Sequence, residues 1–158
     1  MPGLGKPSGQ RNVTRGKRDP HVTGNAGLFY SCYRFSLLGW NVMPTARNAR
    51  GVDIIAYDSQ AIRYIGVQVK SLNDRSPVPM GTNLEKIMGD WWVIVNNLGG
   101  QPTAFIMLPS EVRDRAHRGE KDGRVSFWLQ PKEYDLPEFH EAWDRIGRGD
   151  SERATADK

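Results

Sequence analysis

Among 158 residues the chain has a single cysteine, Cys32. A lone thiol excludes an internal disulfide, and nothing in the cysteine usage points to secretion. Cys32 reads as a small buried hydrophobe on the apolar side of a helix. No apolar run approaches the roughly 18 residues needed to span a bilayer, and the first residues lack the apolar core of a signal peptide. The expectation is a soluble, cytoplasmic protein with no membrane partner. The three histidines, His21, His117 and His140, have no metal-ligand spacing with one another or with Cys32, which argues against zinc. No G-x-x-x-x-G-K-[ST] or G-x-S-x-G element occurs, so neither a phosphate-cradling glycine loop nor a nucleophile elbow is expected. Acidic residues are missing from one long stretch, since none lies between Asp19 and Asp53.

The charge that is present is unevenly spread. Net charge is +4. Residues 1–25 carry Lys6, Arg11, Arg15, Lys17 and Arg18 against Asp19 alone, and the rest of the chain is balanced. Within that rest, residues 26–84 hold six basic and three acidic side chains. The positive field therefore comes from the N-terminal arm and the half that follows it, which suits a polyanionic partner. The arm is rich in Gly, Pro, Arg and Asn without a hydrophobic period and reads as disordered. Its alternatives are a solvated arm and a phosphate-gripping one.

The length suits one domain, expected over residues 26–147, with a polar tail over 148–158. A helix is expected over 26–38, capped by Asn25 and stopped by Gly39, with Phe29, Cys32, Tyr33, Ser36 and Leu37 on its apolar face. A strand at Trp40–Met43 ends at Pro44. The polar stretch from Ser71 to Met80 reads as a loop, and residues 82–89 as a short helix starting near Thr82. Strands follow at 91–95 and 103–108, with Trp91 and Trp92 packing on opposite faces. Ser110 caps a helix to about Arg118, with His117 and Arg118 at its C-terminal end. A charged turn over 119–123, a short strand over 125–129 and a last helix from Pro137 to about Ile146 complete the expectation. The part after Ser110 reads as a peripheral addition.

The most informative segment lies between these elements. Val52–Tyr57 and Ile62–Lys70 are rich in Val, Ile and Tyr and bounded by polar residues, so both read as strands. Alternation puts Ile65, Val67 and Val69 on one face and Gly66, Gln68 and Lys70 on the other. Asp53 opposes the apolar set of Val52, Ile54 and Ala56. A hairpin through residues 58–61 then sets Asp53 beside Gln68 and Lys70. Three polar side chains on an otherwise apolar sheet need a reason, because an unpaired buried charge is costly. The plain alternative is an Asp–Lys ion pair at a strand end with Gln68 as a spectator.

Gly51-x-Asp53, a strand, a tight turn, a second strand and then Gln68-x-Lys70 resembles the PD-(D/E)xK nuclease superfamily, which includes restriction-endonuclease-like and Holliday-junction-resolvase-like proteins. The resemblance covers about residues 26–108. It implies an α/β fold with a restriction-endonuclease-like core, a central mixed sheet of four or five strands flanked by helices. It also implies a Mg²⁺-dependent (or Mn²⁺-dependent) endonuclease acting on DNA, with RNA left open, and by analogy a homodimer. Carried over, Asp53 and Gln68 are metal ligands and Lys70 is the catalytic lysine. The chain departs from the family pattern twice. Gln68 stands where an acid is usual, and its amide oxygen adds no charge. The expected helix carries no acid, with Leu28 after Gly27 where relatives often have Glu. Asp58, Asp74, Glu85 and Asp90 are further acids that could assist. Arg47 and Arg50, in the loop before Asp53, are candidates for phosphate contact. The alternative is a nuclease-fold protein that binds nucleic acid, or a protein partner, without cleavage.

If all five cations of the arm touch phosphates, deleting it lowers the slope of log K against log salt by about 4 to 5 units. Titrating DNA binding against salt for both chains checks this, and an unchanged slope dismisses the arm as a contact.

Overall fold

The computed structural model describes residues 18–46 and 51–150. The expectations for Lys6, Arg11, Arg15, Lys17, Arg47, Arg50 and the last eight residues lie outside the described residues. The first helix, α1 (Pro20–Leu37), starts earlier than expected. Its cap is Asp19, not Asn25: the Asp19 carboxylate accepts the His21 N–H at 2.7 Å, and Pro20 follows at the first helical position, where its missing N–H costs nothing. Gly39, with φ of +81°, follows the helix end as expected.

The buried face of α1 also differs from the expected one. Thr23, Gly27, Ser31, Cys32 and Phe35 are buried, while Phe29, Tyr33 and Leu37 are exposed. Close approach decides this. A Cβ on Gly27 would collide with Ser71 Oγ, and Ser31 Oγ donates back to Gly27 O at 2.8 Å. Small residues let the helix sit tightly on the sheet, and the large apolar residues turn outward.

The strands form two sheets. β1 (Asn41–Pro44), β2 (Ile54–Tyr57), β3 (Tyr64–Ser71), β5 (Trp91–Asn96) and β6 (Thr103–Met107) make a five-stranded mixed sheet in the order β1-β2-β3-β5-β6. Only the β3–β5 pair within it is parallel. β4 (Val78–Gly81), β7 (His117–Lys121) and β8 (Arg124–Leu129) make a second, antiparallel sheet in the order β4-β8-β7. The architecture is thus α/β with a five-stranded mixed sheet, as expected, plus a small sheet that was not expected. Strand β4 occupies part of the stretch read as a loop, and β7 occupies the end of the region read as helix and turn. The residues there alternate weakly, because both faces of β7 are largely polar and its stability comes from pairing with β8.

The central sheet buries one face throughout and the other over β5 and β6. Ile54, Ala56, Ile65, Val67, Val93, Val95 and Ile106 pack toward Cys32 and Phe35 of α1. Trp92, Ile94, Phe105 and Met107 pack toward Val78 and Met80 of β4 and Leu129 of β8. Trp91 and Trp92 therefore serve opposite cores, as their adjacency on a strand requires.

The segment after Ser110 is integral rather than peripheral. Its helices are short: α2 (Pro109–Asp114), capped by Leu108 rather than Ser110, and α3 (Pro131–Tyr134). No helix spans 138–146. Phe139 joins the second core, and Trp143 and Ile146 join the first. Arg34, the sole charge of α1, bonds Glu141 at 2.9 Å, and Glu141 also accepts the Ala104 N–H at 2.7 Å. Chain direction here is set by buried anchors rather than by helical repeats.

Glu111 and Arg145 clamp this segment down. Arg145 donates to both carboxylate oxygens, at 2.7 and 3.1 Å, and to Ile106 O at 2.7 Å. Partial burial pushes the Glu111 carboxyl up, but Arg145 and the Leu108 N–H outweigh it and hold it below its ordinary 4.5. A carboxyl depressed by folding stabilises the protein above its unfolded value, and that contribution fades as pH falls through the folded value. Glu111→Gln should therefore cost about 1–2 kcal/mol near neutral pH and flatten the loss of stability below 4.5. Denaturant melts across acidic pH check both effects.

Candidate functional site

The β2–β3 register brings the motif together. Ile54 pairs with Val67 and Tyr57 with Tyr64, which puts Asp53, one residue before β2, opposite Gln68. Lys70 lies two residues on and shares the Gln68 face. The hairpin connection is longer than expected, occupying residues 58–63, with Ala61 in the left-handed region at φ of +54°. The juxtaposition expected from alternation is nevertheless the one observed.

Asp53 sits where β2 and β3 begin to diverge. Its N–H donates to Val67 O at 2.8 Å, and its carbonyl accepts the Thr45 N–H at 2.9 Å. Its carboxylate Oδ2 accepts the Val69 N–H at 2.7 Å. The side chain thus takes the place of a ladder carbonyl, which fixes the carboxylate against β3. A charge-assisted bond to a backbone N–H holds such a group more firmly than a neutral one would.

Lys70 is largely buried, and burial pushes its pKa below the ordinary 10.5, with the Asp53 charge acting in the opposite direction. Its ammonium lies 5.2 Å from the centroid of the Trp92 ring, a distance at which the ring quadrupole attracts a cation. Among the described ion pairs none joins Lys70 to Asp53, so the two act on each other through space. Trp92 was expected only to pack. Its contact with Lys70 follows from the parallel β3–β5 register, which pairs Gln68 with Trp92 and leaves no local trace in sequence.

A cavity of about 390 Å³ adjoins these groups. Gln68, Lys70 and Trp92 line it from the sheet, and Met80, Ile87 and Met88 from the segment after β3. Gly51, at φ of +70°, closes against Met88, whose sulfur would lie 2.8 Å from any Cβ there. A glycine permits this close approach. Among the four further acids, Glu85 lines the cavity. Asp58 accepts the Ile62 N–H in the hairpin, and Asp90 accepts the Gly66 N–H. Asp74 lines two other clefts. Arg18 also lies elsewhere. It donates to Leu98 O and lines a separate cleft of about 840 Å³ beneath the start of α1.

Comparison with protein-family models, with curated proteins and with solved structures finds no match. Among the described residues no cluster of three His, Cys, Asp or Glu could hold a metal. The donor set nevertheless suits a hard cation of low protein demand. Gln68 Oε1 is a buried acceptor without a hydrogen-bond partner, and Asp53 supplies the carboxylate opposite it. Mg²⁺ is often held by one or two such oxygens, with water and phosphate completing its shell. Trp92 Nε1 is the matching orphan donor on the neighbouring strand.

Lys70→Met replaces a desolvated ammonium by an apolar chain of similar length. The melting temperature should rise by a few degrees near neutral pH, which calorimetry reads. A fall would show that Lys70 holds the fold rather than serving a ligand.

Proposed function

We propose that the chain is a Mg²⁺-dependent (or Mn²⁺-dependent) endonuclease with a restriction-endonuclease-like core, hydrolysing phosphodiester bonds in DNA. One observation carries this reading: a hydrogen-bonded carboxylate, Asp53, and a largely buried, pKa-lowered lysine, Lys70, share one face of a sheet, and Lys70 lines a cavity there. A buried ammonium without a bonded carboxylate is costly to fold, so it points to a group kept for chemistry. The excess of basic residues over 26–84 supports a polyanionic substrate.

Asp53 and Gln68 would hold the cation, which when bound neutralises phosphate charge and acidifies a water. Asp53 is oriented for this by the Val69 N–H. Lys70 stands two residues beyond Gln68 on the same face. In its charged form it stabilises negative charge building on the phosphate. With its pKa lowered, it also exchanges a proton with water more readily than an exposed lysine does. Met80, Ile87, Met88 and Trp92 give part of the cavity wall an apolar character, and lower polarity strengthens such interactions.

A second reading is binding without cleavage, of nucleic acid or of a protein partner. The Gln68–Trp92 pair favours it. A turn of the Gln68 amide toward the Trp92 N–H would satisfy both orphans and leave Asp53 as a single ligand. The absence of any acid on α1 points the same way.

Cleavage of duplex, single-stranded and branched DNA and of RNA, with Mg²⁺ or Mn²⁺, decides between them. On the nuclease reading Asp53→Ala and Lys70→Ala each lower the rate by about 10²- to 10⁴-fold. Gln68→Glu then lowers the metal concentration needed for half-maximal rate, because it adds a ligand charge. Binding with no turnover in the parent chain, and none gained in Gln68→Glu, establishes the second reading.

A further inference from the structure

The sheet face that carries Asp53, Gln68 and Lys70 continues toward the hairpin end; Val52 and Gly89 cover it at Gly66, and beyond that, among the described residues, Tyr64 and Met43 are exposed. Alternation puts Met43, Ile55, Tyr57, Tyr64 and Gly66 on that face, in the cross-strand rows Met43–Ile55–Gly66 and Tyr57–Tyr64. The other face of the same strands is fully buried through Ile54, Ala56, Ile65 and Val67. The second sheet covers the far half of this face, over β5 and β6, and its core includes none of these near-half residues. Tyr57 and Tyr64 stack with centroids 5.6 Å apart and planes 25° from parallel. Tyr64 is 56% exposed, and Met43 is 45% exposed.

We infer that this tyrosine pair is a stacking platform for an unpaired nucleobase of the same strand whose phosphate is held at Lys70. The substrate class is thereby nucleic acid with unpaired nucleotides: a single strand, flap, loop or bulge. The inference rests on the nuclease reading above and narrows its substrate. Tyr64 lies six residues from Lys70 along β3, about 20 Å at the rise of an extended strand, which a nucleic-acid strand spans in a few nucleotides. The near-half residues named on this face carry no charge, and the Asp90 carboxylate at the edge of β3 is tied to the Gly66 N–H, so an aromatic plane is what the face offers. Base faces inside a duplex are occupied by their neighbours, whereas an unpaired base can lie on an aromatic ring, and every base can do so. A cross-strand tyrosine pair would steady the hairpin in any case, but that role does not require an outer ring left exposed on the same sheet face as a cationic site.

The test is fluorescence anisotropy with a labelled oligothymidylate of about 15 nucleotides and a duplex of equal length, in the presence of chelator to prevent cleavage. The expected result is tighter binding of the unpaired probe. Tyr64→Ala weakens it roughly 5- to 150-fold, Tyr64→Trp retains it, and duplex binding is unmoved. Three results overturn the platform. The first is unchanged oligothymidylate affinity in Tyr64→Ala, and the second is a parent chain that prefers the duplex; either leaves the nuclease reading standing. The third is a parent chain that binds neither probe, which removes both together. Sedimentation of the parent chain and Tyr64→Ala extends the first: dissociation of a dimer with no change in oligothymidylate affinity would assign the face to a second copy of the chain and overturn the platform.

Discussion

Strand β3 is hydrogen-bonded on both edges, antiparallel to β2 and parallel to β5, and most of the structure depends on that double pairing. It fixes which residues of β3 face α1 and which face the cavity, and a slip of one residue would exchange the two sets. Val67 and Ile65 would then meet solvent, and Gln68 and Lys70 would meet the first core. The apolar cores on the two sides therefore enforce the register that holds the polar trio in place. The close seat of α1 through Gly27 and Ser71 adds a further constraint at the C-terminal end of the same strand.

The polar groups on the cavity face carry an energetic cost that the surrounding structure offsets. Asp53 is stabilised by the Val69 N–H. Lys70 is partly compensated by the Trp92 ring and by the nearby Asp53 charge. Gln68 Oε1 and Trp92 Nε1 are not compensated. Buried donors and acceptors without partners are uncommon in folded proteins, and finding one of each on adjacent strands beside a buried lysine marks this spot as distinct from the rest of the core. Elsewhere the buried and half-buried polar groups are well tied, as in the Glu111–Arg145 and Arg34–Glu141 clamps.

Cavity, trio and tyrosine pair lie on one side of the mixed sheet, with Val52 and Gly89 packed over Gly66 between them. The covered half, under β4 and β8, supplies rigidity and an apolar wall. The uncovered half offers aromatic surface. Gln68 stands opposite Asp53 across β2 and β3 and pairs with Trp92 across β3 and β5, so its amide has two neighbours to turn toward.

The sequence by itself determined the strands around Asp53 and Lys70 and the shared face of Asp53, Gln68 and Lys70, though not the length of the connection between them. It could do so because period-two alternation and hairpin pairing are local, and Val, Ile and Tyr mark them clearly. It likewise determined β5 and β6, whose apolar runs are unbroken. Only the tertiary structure decided the rest. The buried side of α1 was misjudged, because burial there follows the small residues that permit close approach, not the largest apolar ones. Strands β4 and β7 were missed because long-range pairing with β8 outweighs their weak local preferences. The segment after Ser110 was misread as peripheral because Phe139, Trp143 and Ile146 anchor without a helical period. The contact of Lys70 with Trp92 depends on a parallel register between strands separated by β4 and its flanking turns, and no spacing within either strand encodes it.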